Sequence, residues 1–121
     1  MKKEFRVKKI RESVYDVVVY FCTGHYSDFV AWQKKERIKI DENESFAGLG
    51  GACFSVDITK KDGSFYVEFV IWVSDKNDVV VLSHEVIHLV SKIFERRSVP
   101  FDRHNEETVA QYHSFWMRRL L

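Results

Sequence analysis

Apolar and polar positions follow two different periods along the chain, and the switch between them divides it. Ser13–Cys22 is crowded with valine and tyrosine and reads as a strand. Thr23-Gly24-His25-Tyr26 reads as a turn, after which Ser27 or Asp28 is placed to cap a helix running to about Arg37, with Phe29 and Trp32 as its buried side chains. Asp41–Gly51 is polar and then glycine-rich, as a loop is. Its ending, Gly48-Leu49-Gly50-Gly51, lacks the Gly-Lys-Ser/Thr of a phosphate loop and opens a strand rather than a helix. Ala52–Thr59 alternates, with Phe54, Val56 and Ile58 on one face. Asp62-Gly63 marks a hairpin turn. Phe65–Val73 then returns with Phe65, Val67, Phe69, Ile71 and Val73 on one face. Val70 and Trp72 make its other face apolar too, so this strand is expected to be covered on both sides.

Beyond the polar break at Ser74–Asp78 the period lengthens to that of a helix. Val79 to about Arg97 contains no Gly or Pro and stops before Pro100. A last helix starts near Asn105, a capping residue type, and runs to the C-terminus. Glu106 and Glu107 sit in its first turn, where the helix dipole favours negative charge. The link Ser98–Arg103 is short, which predicts an antiparallel helical hairpin. The order is strand, helix, hairpin, helix, helix. It predicts an α+β fold whose small, antiparallel-containing sheet has about three strands, within one domain over residues 1–121.

Composition narrows the class. With 45% hydrophobic and 15% aromatic residues the chain is expected to form a packed globule rather than a disordered segment. A net charge of +1 gives no reason to expect a nucleic-acid partner. Lys2, Lys3, Arg6, Lys8, Lys9 and Arg11 do cluster at the start, and read as a solvated end. Cys22 and Cys53 lie in apolar, strand-like stretches where buried free thiols are the default, so a reducing cytoplasm is expected. The lysines followed by Val14–Cys22 imitate a secretory signal, but Asp16 interrupts the run and no small-residue cleavage site follows. No apolar run reaches bilayer length, so no membrane association is expected.

The candidate chemistry lies at His84-Glu85-Val86-Ile87-His88. Two histidines four apart on a helix differ by only about 40° around the axis, so both imidazoles can reach one metal ion. Glu85 is rotated too far to join both as a ligand and can act on a water instead, which gives two ligands and one general base. A catalytic zinc usually has three protein ligands and an open position. Glu107, in the first turn of the returning helix, is the preferred third ligand on helix phase, and Glu106 is its rival. Gln111, four residues after Glu107, is a candidate to hydrogen-bond a ligating histidine. His104 is a candidate to orient substrate or stabilise an oxyanion, against the plainer reading of an exposed loop histidine. His113 and Tyr112 are expected to pack or face solvent, and Trp32, Trp72 and Trp116 to belong to the core. Phe65–Val73 is the candidate edge strand beside a cleft, where an extended peptide would align by backbone pairing.

The helix with its two histidines, followed by a second helix carrying Glu, resembles the gluzincin pattern typified by thermolysin. A closer likeness is to short phage and prophage zinc peptidases, which look like a hairpin strand, a Leu-x-His-Glu-x-x-His helix and a second helix with Glu-x-x-Ala/Cys-x-Tyr. The matching residues are Leu82-Ser83-His84-Glu85-Val86-Ile87-His88 and Glu107-Thr108-Val109-Ala110-Gln111-Tyr112. The resemblance covers about half the chain, from Val67 onward. It implies a minimal zincin-like domain in a bacterial host cytoplasm, with one zinc held by His84, His88 and Glu107, Glu85 as base, and a peptide or protein as substrate. Asn105-Glu106 resembles the Asn-Glu pair of thermolysin-like enzymes, but Ala110 stands where those enzymes have Asp. Two other readings stay open. One is a zincin-like zinc-binding module, catalytically weak or inactive, acting in protein interaction. The other is an interaction protein in which the motif arose by chance.

Overall fold

The structure, a computed structural model, describes residues 4–38 and 50–121. Strand β1 spans Arg6–Glu12, β2 Val17–Thr23, β3 Gly51–Thr59 and β4 Phe65–Val73. Helix α1 spans Tyr26–Lys35, α2 Val79–Arg96 and α3 Glu106–Leu120, with a 3-10 turn at Arg103–Asn105. The fold is therefore α+β. Among the described residues the sheet has four strands, in the order β1-β2-β4-β3, rather than the three expected. β1 pairs antiparallel with β2, β4 antiparallel with β3, and β2 runs parallel to β4.

The extra strand, β1, comes from the basic N-terminal stretch. Arg6, Val7, Lys8, Lys9 and Arg11 of β1 are all exposed, so β1 carries no apolar alternation to announce it. Charged side chains on an edge strand are also what deters pairing with another chain. Only Ile10 and Glu12 turn inward. The stretch read as one strand from Ser13 to Cys22 begins with a turn instead. Asp16 takes a left-handed φ of 52°, and the Arg97 guanidinium at the end of α2 grips the turn through the Tyr15 and Asp16 carbonyls, both at 2.7 Å.

β4 is covered on both faces, as its pattern predicts. Phe69, Ile71 and Val73 pack with Val19 and Phe21 of β2 under Leu82, Val86, Leu89 and Ile93 of α2 and Trp116 and Leu120 of α3. Val70 and Trp72 pack on the other side with Cys22, Phe54 and Phe29 of α1. β4 is thus interior, and β3 takes the edge position that the sequence reading gave to Phe65–Val73. α1 starts without either expected cap: its N-cap is His25, which makes no side-chain cap bond, and Asp28 lies in the first turn. What holds this end is Trp72, whose indole donates to the Gly24 carbonyl at 2.9 Å and stacks on Phe29 at 5.2 Å. Gly24 itself has φ +128°, and a Cβ there would come within 2.8 Å of the Phe5 backbone. Asn105 precedes α3 but does not cap it; its side-chain amide donates to the Pro100 carbonyl. The expected loop at 41–51 falls largely outside the described residues. Both cysteines are free, with Cys22 buried and Cys53 half-buried. No described helix is long and apolar enough to cross a membrane.

Trp72→Ala removes a fully buried ring that joins β4 to the start of α1. The expected loss is about 3–5 kcal/mol of folding free energy, read as a lower urea midpoint with an unchanged m-value.

Candidate metal centre

α2 begins where the Asp78 carboxylate accepts from the Val81 amide at 3.2 Å. Its buried stripe of Leu82, Val86, Leu89, Val90, Ile93 and Phe94 fixes which way every other side chain points. Its two flanks meet different partners. Val81, Glu85 and Arg96 turn toward β3, where Arg96 forms an ion pair with Asp57. On the other flank Ser83 Oγ lies 3.3 Å from His113 Nε2, and Phe94 stacks on Tyr112 at 5.5 Å. Ser83 and Glu85 project about 160° apart, as two residues separated by 200° of helical turn must. The face left over, opposite the sheet, carries His84 and His88, both exposed.

The two imidazoles converge there. His84 Nε2 and His88 Nε2 are 3.2 Å apart, with ring planes inclined at 75°. Two nitrogens at zinc–nitrogen distance in a tetrahedral shell stand about 3.3 Å apart, so the pair has the spacing of two ligands of one ion. Glu85 completes the group: one donor atom from each of His84, Glu85 and His88 lies within 4.8 Å of the others. Among the described residues no other set of His, Cys, Asp and Glu gathers in this way. Desolvation, with His84 and Lys92 nearby, pushes the His88 pKa down, which keeps the ring in the neutral form that binds metal.

Glu85 is a carboxylate at a buried position, 5% exposed. Burial raises its pKa, and His84 only partly opposes that. The space it occupies is made by Gly51, the first residue of β3. A Cβ on Gly51 would stand 2.9 Å from Glu85 Cγ, 3.0 Å from Val81 Cγ1 and 3.1 Å from Glu85 Oε2. The glycine-rich run ending at Gly51 is no phosphate loop, yet Gly51 has a structural role. The signal available was a Gly opening a strand, which often marks close approach of another element.

The structure does not bring the other predicted residues to this group. Glu107 is exposed and accepts from Gln111 Nε2 at 3.3 Å, so both belong to the outer face of α3. The cause is helix phase. Trp116 anchors the buried side of α3, and nine residues of rotation put Glu107 about 180° from it. Glu106 is exposed and also outside the group. His104 is exposed in the 3-10 turn, with its backbone amide bonded to Asp102. Tyr26, next to His25, packs on Trp72 at 5.5 Å, beneath the opposite face of the sheet. No family model matches the chain, and neither a curated protein nor a solved structure does.

Gly51→Ala is expected to cost about 1–3 kcal/mol by overpacking against Val81 and Glu85, measured by chemical unfolding. Glu85→Gln acts in the opposite direction in metal-free protein. A carboxylate whose folded pKa is raised contributes stability that is present at acid pH and lost as pH rises through the folded value. In chelator, Glu85→Gln should therefore melt above wild type at pH 7, and the gap should narrow at pH 4.

Proposed function

We propose that the chain is a zinc-dependent hydrolase, a small metallopeptidase of zincin-like design, akin to the short phage-type zinc peptidases and acting in a bacterial host cytoplasm. The observation that carries this reading is the pair of Nε2 atoms 3.2 Å apart beside the buried Glu85 carboxylate. The donor set suits zinc, since borderline-soft imidazoles select it over magnesium or calcium. β3 supports a peptide substrate, because it is an edge strand of the sheet and opens at Gly51 against Glu85.

Zinc held by the two imidazoles would polarise a scissile carbonyl and acidify a water. Glu85 takes a proton from the attacking water and hands it to the leaving amine. Its burial makes it a stronger base than an exposed glutamate, and its place one residue from His84 keeps it beside the reacting atoms. Glu107 and Glu106 stand outside the group, so the reading rests on His84, Glu85 and His88. That same observation favours a second reading, a metal-binding module that takes part in protein interaction without turnover.

Purification without chelator should give one zinc per chain by elemental analysis. His84→Ala and His88→Ala should lose it, while Glu107→Ala keeps it; zinc lost from Glu107→Ala would reinstate that residue as a ligand. Glu85→Gln should retain zinc and reduce peptide cleavage by at least about a hundredfold. Equal behaviour of wild type and Glu85→Gln on a broad peptide library would leave the interaction module standing, and metal-free wild type would remove both readings.

A further inference from the structure

A second site lies on the opposite face of the sheet from α2. There β2, β3, β4 and α1 enclose a cavity of about 210 Å³, lined among others by Tyr20, Trp32, Glu36, Val56, Glu68 and Val70. This is smaller than the roughly 300 Å³ at which drug-sized pockets begin, so it suits a fragment-sized occupant. Its walls are aromatic and aliphatic, with the Tyr20 and Trp32 rings 5.8 Å apart.

The unusual group is Glu68. It sits within β4, paired with Val56 of β3, and is only 6% exposed. Its carboxylate accepts one hydrogen bond from Tyr20, at 3.1 Å. Burial and then the Glu68 charge push the Tyr20 phenol up to about 12, so the hydroxyl remains a donor at neutral pH. No described lysine, arginine or histidine forms an ion pair with Glu68. Lys9 holds its Nζ 5.8 Å from the centre of the Tyr20 ring and forms no ion pair with Glu68. Glu36 adds a second carboxylate to the lining. A buried carboxylate without a counter-charge is costly, and the cost falls when a cation enters. These carboxylates are not gathered closely enough with a third donor to form a metal site. Aromatic walls beside a buried carboxylate that has no ion-pair partner among the described residues are the chemistry that recognises an organic cation.

We propose that this cavity binds a small organic ammonium ion, with its charge on Glu68 and its hydrocarbon part against Trp32 and Tyr20. The site is separate from the histidine pair, and its test does not depend on zinc. The probe is 2-phenylethylammonium chloride, titrated into the full chain and followed by the tryptophan indole N–H signals in a proton–nitrogen correlation spectrum. Trp116 is buried on the opposite face of the sheet and serves as the internal reference. A saturable shift of the Trp32 signal with Trp116 unmoved is expected, with a Kd in about the millimolar range that a fragment of this size reaches. The neutral isostere 2-phenylethanol should bind at least about tenfold more weakly, since it cannot neutralise the carboxylate. Glu68→Gln, which keeps the side-chain shape, should weaken the ammonium ion by a similar factor. Equal binding of alcohol and ammonium would overturn the proposal, as would undiminished binding to Glu68→Gln or a Trp32 signal that does not move. The alcohol comparison is made on wild type, so it stands even if the variant does not fold.

Discussion

β4 has apolar side chains on both faces, and neither face can be left to water. Fully burying a Phe, Ile or Val side chain is worth about 1.5–3 kcal/mol. Exposing Phe69, Ile71 and Val73 together would thus forfeit an amount comparable with the roughly 5–15 kcal/mol by which a domain is stable at all. Two layers of helix must therefore flank the sheet, and β4 must lie inside it. α2 and α3 cover one side, α1 the other. The strand order follows from the same requirement, with the charged β1 and the half-covered β3 left at the edges.

That demand also orients the candidate metal centre. α2 has one stripe that must meet β4, and once it does, the helix has no rotational freedom left. Glu85 is turned toward β3, Ser83 toward α3, and the two histidines outward. The site is thus a by-product of core packing as much as of its own residues. At Gly51 the sheet gives way to the site, by omitting a side chain where Glu85 needs room.

The parts of the fold legible in the sequence are those where burial imposes a clean period. β4 and α2 are readable because their apolar positions repeat every two or about every 3.6 residues, and the Asp62-Gly63 turn because Gly63 supplies a positive φ of 88°. β1 is not, because an edge strand protected by lysine and arginine carries the composition of a loop. The start of α1 was misplaced because a tertiary contact, the Trp72 indole on Gly24, does the work that a capping side chain was expected to do. Within the candidate site, the spacing of His84 and His88 lay within one helix and could be read directly. Glu107 lay on another helix, and its phase depended on which stripe of α3 the core would take. Tyr112, Trp116 and Leu120 decided that, and they turned Glu107 away. Glu68 interrupts the apolar run of β4, and only the cavity beside it gives that interruption a meaning.

The parallel pairing of β2 with β4 has a kinetic side. In each hairpin the paired residues are close in sequence, as Glu12 is to Val17 and Thr59 to Phe65. Joining the hairpins sets Val19 against Phe69, a separation roughly tenfold longer, which adds about 2 kcal/mol of loop-closure entropy before any contact repays it. Each hairpin closes over only a few residues of chain. The seam between them does not, and it is along this seam that the two apolar layers first acquire a common floor. Folding speed is therefore governed by how the chain closes that one long loop, and a change in the segment between α1 and β3 would be felt in the refolding rate sooner than in the contacts of the native state.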